Sequence, residues 1–102
     1  MYNLELIKIL NREAIRQIES HNFIASENYS SDAVRHFSGS VFSNKYAEGY
    51  PGKRYYNGCE NFDQLENHGI KLVTKLYGCN FANIQPHSGA NANLAIFKAF
   101  LE

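Results

Sequence analysis

Two short stretches carry residue types that bind ligands. Residues 44–58, NKYAEGYPGKRYYNG, crowd four tyrosines (Tyr46, Tyr50, Tyr55 and Tyr56), three cations (Lys45, Lys53 and Arg54) and one carboxylate, Glu48, among three glycines and a proline. A phenol offers a ring and a hydroxyl where one side of a site is dry and the other wet. A loop this rich in phenols and cations is better explained by a ligand than by solvation, for which glycine and lysine suffice. Residues 87–93, HSGANAN, form the second stretch. Ser88 suits a helix N-cap, and Gly89 and Ala90 leave backbone N–H groups open to an anion at the positive end of the helix dipole. Capping without any ligand fits the same residues. No G-x-G-x-x-G or Walker pattern occurs, which disfavours a dinucleotide or a nucleoside triphosphate.

The elements that must position these stretches follow from apolar spacing. Leu4, Ile7, Leu10, Ala14, Ile15 and Ile18 recur at three- and four-residue intervals, which predicts an amphipathic helix over about residues 3–20. It reads either as an arm that packs on another subunit or later chain, or as a core helix. Ser30 and Ser31 predict a cap for a short helix over 32–37, ended by Ser38-Gly39-Ser40. Residues 44–58 lack both the helical and the strand period, so Gly49, Pro51, Gly52 and Gly58 predict a loop of tight turns. A helix over 60–77 opens with Glu60 and Asp63, carries Phe62, Leu65, Gly69, Leu72, Val73 and Leu76, and stops at Gly78. Residues 81–85, between that stop and Pro86, favour a strand, and a last helix starts near Gly89. Helix, turn and strand in this order predict an α/β fold.

Composition limits the classes available. A chain of 102 residues is at most one domain, and ten basic against ten acidic residues give no global field to attract nucleic acid or an anionic membrane. No apolar run is long enough to span a bilayer and the first residues lack the pattern of a signal peptide, so the expectation is a cytoplasmic protein with no nucleic-acid or membrane partner. Cys59 and Cys79 have no metal-ligand spacing, which predicts reduced, packed thiols and no metal site. His21, His36 and His68 read as surface or satisfied core residues. The stripe of Leu94, Phe97, Phe100 and Leu101 has no following element to cover it, so the chain reads as cut short.

Four motifs in order, IASENY at 24–29, NKYAEGYPGKRYY at 44–56, GCE at 58–60 and QPHSG at 85–89, resemble the serine hydroxymethyltransferase family. The resemblance covers about residues 24–101. It implies a pyridoxal-phosphate-dependent, aminotransferase-like large domain of fold type I, with residues 1–22 as an N-terminal helical arm and 23–102 as its incomplete start. It further implies pyridoxal 5′-phosphate as cofactor, tetrahydrofolate as co-substrate, serine and glycine as substrates, and a homodimer or a complementary C-terminal chain as partner. By the same resemblance Glu48 is the acid/base carboxylate, with Tyr55 and Tyr56 lining the substrate pocket. Ser26 then contacts the amino acid. Tyr46 reaches the cofactor phosphate in a neighbouring subunit, and Ser88, Gly89 and Ala90 hold a phosphate. Lys45, Lys53 and Arg54 are left as structural or electrostatic support.

Departures from the family pattern qualify this. Ala90 stands where a second serine is common, removing a hydroxyl but not the N–H. Asn57 replaces a glycine, with positive φ expected to be tolerated. His68, Gly69 and Leu72 replace Leu, Ala and Arg, and a mid-helix glycine costs roughly 0.5–1 kcal/mol. None of the lysines matches the one that attaches the cofactor, so the chain alone is expected to be inactive, either as an enzyme segment or as a non-catalytic remnant that pairs with an intact subunit.

Overall fold

Local signals set the helices of the computed structural model, which describes residues 3–101. α1 spans Leu4–Glu19, and its cap is Asn3, whose Oδ1 accepts the Glu5 N–H at 2.9 Å. α2 spans Asp32–Ser38, with Ser31 Oγ accepting the Val34 N–H at 3.3 Å. α3 spans Glu60–Tyr77 and stops at Gly78 in the left-handed conformation. α4 spans Gly89–Phe100. Each helix begins within a residue or so of where capping and apolar period place it, because caps satisfy amides that the first turn leaves open.

The chain divides into two units, Met1–Phe37 and Ser38–Glu102. In the first, α1 buries none of its residues, and Leu4 and Ile18 are largely exposed. The segment after it folds back on itself: Ile24 O accepts the Glu27 N–H at 3.0 Å, and Asn22 Oδ1 accepts the Ile24 N–H at 2.9 Å. Together with α1 and Arg35, these residues border one open concavity. Residues 23–37 thus lie in the same compact unit as α1.

The second unit contains a feature that period analysis did not reveal. Within residues 44–58, β1 (Gly49–Tyr50) and β2 (Lys53–Arg54) pair antiparallel, with Gly49 opposite Arg54 and Tyr50 opposite Lys53. Two-residue strands are too short to show an alternation. Pro51 and Gly52 make the turn; a proline followed by a glycine at φ 73° is what a type II turn requires. A single 3₁₀ turn, Val41–Asn44, leads into this hairpin.

The strand expected over 81–85 does not form. Residues 81–86 are irregular and pair with no other segment among the described residues. A strand is defined by its ladder, and here the Gln85 N–H is taken by Asn83 Oδ1 at 3.0 Å, a local capture that competes with pairing. The structure is helix-rich with one small two-stranded sheet among its described residues.

The core lies between the hairpin and α3. Cys59, the α3 cap position, is 4% exposed, with Sγ 3.3 Å from the Tyr56 carbonyl oxygen. Phe42 meets Phe62 edge to face at 5.2 Å, a pairing worth about 0.5–1.5 kcal/mol beyond its buried area. Cys59 is a free, buried thiol as expected, whereas Cys79 is free but exposed. The mid-helix glycine has a packing role, since a Cβ at Gly69 would stand 2.6 Å from Ile84 Cδ1. Ile84 thus rests on α3 through the gap that Gly69 leaves. Leu65, Leu72 and Leu76, apolar positions of the amphipathic period read from sequence, are exposed, and the half-buried face of α3 runs through Phe62, Asp63, Glu66, Gly69, Ile70 and Val73. Two of these are carboxylates, which an apolar-period search passes over.

Candidate functional site

Arg54 answers those two carboxylates. Its side chain is 5% exposed, with Nε donating to Asp63 Oδ1 at 2.8 Å and Nη2 to Glu66 Oε2 at 2.6 Å. Its Nη1 donates to the carbonyls of Ala47 at 2.7 Å and Gly49 at 2.8 Å. A guanidinium is suited to this because its donors lie in a rigid planar fork. The Arg54 hydrogen bond and the Gly52 N–H, which reaches Asp63 Oδ2 at 2.9 Å, hold the Asp63 carboxyl below its ordinary range. In turn, hydrogen bonds to Asp63 and Glu66 raise Arg54 above its usual value. Arg54, left as unspecified support by the sequence, is an ion-paired hub.

Glu48 lies between the two carbonyls that Arg54 holds. Its own carbonyl accepts the Tyr55 N–H at 3.1 Å, so three successive carbonyls, at 47, 48 and 49, all have donors. The Glu48 residue itself is exposed. A pinned backbone thus carries a solvent-facing carboxylate. The next residue enforces the geometry: Gly49 has φ 103°, and a Cβ there would come within 2.4 Å of the Lys53 carbonyl oxygen.

The tyrosines do not pack away as an apolar count implies. Tyr46, Tyr50, Tyr55 and Tyr56 are all at least half exposed, although Tyr46 and Tyr56 meet edge to face at 5.6 Å. Asn57 does not enter positive φ; among the described residues only glycines do, and Gly58, at φ 78°, makes that turn.

At the second stretch, Ser88 Oγ accepts the Asn91 N–H at 3.3 Å, making it the α4 cap. The Gly89 and Ala90 amides belong to the first turn and have no intrahelical carbonyl to bind. Nothing lies within 4 Å of where a Gly89 Cβ would be, so the approach is open. These features suit an anion at the helix start.

Gln85, which the sequence reading passed over, links the two stretches. Its Nε2 donates to the Gly49 carbonyl at 2.8 Å and to Glu66 Oε1 at 2.7 Å. It stands three residues before Ser88 and reaches the residue next to Glu48. The sequence signal was its place in QPHSG, where the motif was noted but the glutamine was given no role. Ser26 lies in the first unit, inside the turn closed by Ile24 and Glu27, and is exposed. Among the described residues no group of histidine, cysteine and carboxylate gathers to hold a metal, and no helix is long and apolar enough to cross a membrane.

The sequence profile of the serine hydroxymethyltransferase family matches residues 1–102. A serine hydroxymethyltransferase of Blochmanniella pennsylvanica is 53% identical over 100 residues, covering 98% of this chain and 24% of its own length. Serine hydroxymethyltransferase 2 of Pseudomonas putida and the serine hydroxymethyltransferase of Mesoplasma florum are each 52% identical over the same shares. The chain thus spans about a quarter of the length of these curated relatives. It belongs to the serine hydroxymethyltransferase family and corresponds to its N-terminal part.

Proposed function

We propose that this chain supplies the N-terminal part of a pyridoxal-phosphate enzyme of fold type I that interconverts serine and tetrahydrofolate with glycine and 5,10-methylenetetrahydrofolate. Residues 1–22 serve as its helical arm, and 23–102 begin its cofactor-binding large domain. The observation that carries this reading is the join between the two stretches: Gln85, three residues ahead of the Ser88 cap, binds the carbonyl next to Glu48. Family membership supplies the reaction class.

The residues divide the work. The Gly89 and Ala90 amides bind phosphate oxygens at the positive end of α4, and the Ser88 hydroxyl holds the turn that aims them. Ala90 gives an amide but no second hydroxyl. Glu48 accepts or returns a proton at the substrate hydroxyl, while its fixed backbone keeps the carboxylate where that oxygen arrives. The phenols of Tyr55 and Tyr56 hydrogen-bond the substrate, and Ser26 contacts the amino acid. Tyr46 reaches the phosphate held in an adjoining subunit of a homodimer, or in a complementary chain. When bound, pyridoxal 5′-phosphate supplies the electron sink for breaking bonds at the amino-acid α-carbon. The reaction is assigned to the cytoplasm.

The test is a chimera in which this chain replaces the first quarter of the Pseudomonas putida relative. Tetrahydrofolate-dependent conversion of serine to glycine is the expected result, and Glu48→Gln lowers kcat by about 10²- to 10⁴-fold, the range for a general acid/base. A folded chimera that is inactive, or a Glu48→Gln variant with unchanged kcat, overturns the proposal.

A further inference from the structure

We infer that Arg54 and Gln85 are positioning residues for Glu48, together fixing its backbone and tying it to the segment that leads into the Ser88 helix start. The inference rests on the assignment of Glu48 proposed above, but its structural content stands on separate observations. Three consecutive carbonyls are held from outside their own segment: Ala47 and Gly49 by Arg54 Nη1, and Glu48 by the Tyr55 N–H. The Gly49 carbonyl accepts twice, from Arg54 and from Gln85. The two donors are themselves fixed by the same α3 carboxylate, since Glu66 Oε2 takes Arg54 and Glu66 Oε1 takes Gln85. Glu66 therefore orients both donors, and its own side chain is 12% exposed.

A plain ion pair does not need this arrangement. An ion pair with Asp63 or Glu66 requires only a cation, and a lysine ammonium supplies the same charge. Reaching two carboxylates and two carbonyls from one side chain requires the planar five-donor fork that lysine lacks. Gln85 is exposed and uncharged, so its two bonds contribute direction without adding a charge to the core. What Arg54 and Gln85 hold in common is the Gly49 carbonyl, next to Glu48. A carboxylate that must meet a hydroxyl within hydrogen-bond reach gains from such restraint, because misplacement by about 1 Å costs on the order of 100-fold in rate.

Amide hydrogen exchange on the whole chain tests this, with Tyr55 as reporter because its N–H is bonded to the Glu48 carbonyl. Gln85→Leu keeps the approximate size and removes both donors. It lowers Tyr55 protection by about tenfold or more, while Ile70 and Val73 in α3 change by less than about twofold. Unchanged Tyr55 protection, or a loss shared equally by Ile70 and Val73, overturns the inference. Arg54→Lys separates the fork from the charge. If the fork matters, lysine fails to restore Tyr55 protection and the Glu48 and Gly49 amide resonances move; wild-type protection and unmoved resonances overturn the role of Arg54. Titration with inorganic phosphate, read at the Gly89 and Ala90 amides, reports separately on the functional reading. Silence there sinks the phosphate assignment and leaves the positioning result standing on the Tyr55 data alone.

Discussion

Two ion pairs in this chain have similar geometry and opposite consequences. In α1, Arg16 Nη2 meets Glu13 Oε1 at 2.6 Å, with side chains 61% and 46% exposed. In the second unit, Arg54 Nη2 meets Glu66 Oε2 at 2.6 Å, with side chains 5% and 12% exposed. Distance does not separate them. The α1 pair joins residues three apart on one helix surface, where water competes for every donor, so it adds little beyond local helix support. The Arg54 pair joins residues twelve apart, and the same guanidinium binds two backbone carbonyls. Removing one partner there leaves polar groups with reduced access to water, which costs more than the interaction is worth in solvent. An ion pair shapes the structure when it closes a long loop and satisfies backbone, and decorates it when it does neither.

The comparison breaks most sharply at Gly49. Gly49→Ala must adopt φ 103° and place its Cβ 2.4 Å from the Lys53 carbonyl oxygen, a backbone atom that cannot turn aside. The expected loss is about 2 kcal/mol or more from strain alone, read as disappearance of the cross-strand contacts between Tyr50 and Lys53 in nuclear Overhauser spectra. Resonances of α1 stay in place. Retention of the hairpin with wild-type contacts contradicts this account of how Glu48 is held.

Acid gives a graded version of the same contrast. Hydrogen bonds from Arg54 and then Gly52 hold Asp63 below its ordinary value of 3.8. The folded state thus binds that proton more weakly than the unfolded state. The stabilisation is complete above pH 4 and is lost as pH falls below 3.8, through the lower folded value. Hairpin contacts monitored during an acid titration should weaken in that window, and Asp63→Asn should remove the Asp63 share of the dependence while starting from a weaker clamp. A wild-type titration identical to that of the variant below pH 4 contradicts the linkage.

How much was legible in the sequence follows from the same physics. Helix ends were readable because caps and stops such as Ser31, Gly78 and Ser88 act on immediate neighbours. The stretches around Glu48 and Ser88 stood out because their residue types are poorly explained by solvation, and Gln85 joins the segment before Ser88 to the carbonyl beside Glu48. The hairpin was not, since two residues per strand show no period, and only the Pro51-Gly52 turn betrayed it. The strand over 81–85 was read from its flanks, yet a strand needs a neighbour that no local signal reports. Asp63, Glu66 and Gln85 were missed for a related reason: their bonds span nine to thirty-six positions, and an apolar-period reading treats each as a solvated residue.

The smallest expected effect lies in α1 and sharpens the contrast from the other side. Hydrogen bonds from Arg16 first and Gln17 second lower Glu13 from 4.5 to about 2. The helical state therefore binds this proton less readily, and its contribution is present above pH 4.5 and lost between 4.5 and about 2. Glu13→Gln removes it at every pH. Because the pair is well exposed, the change should be confined to residues near Arg16 and Gln17, amounting to less than one turn of helix by carbon chemical shifts. Added salt should erase most of the difference between wild type and variant, since exposed charges are screened over about 10 Å at 0.1 M. The Arg54 cluster, with its backbone carbonyls inside the same network, should keep its contacts at that ionic strength. Equal salt sensitivity at both sites would mean that exposure does not distinguish them, and the contrast drawn between the two pairs would fail.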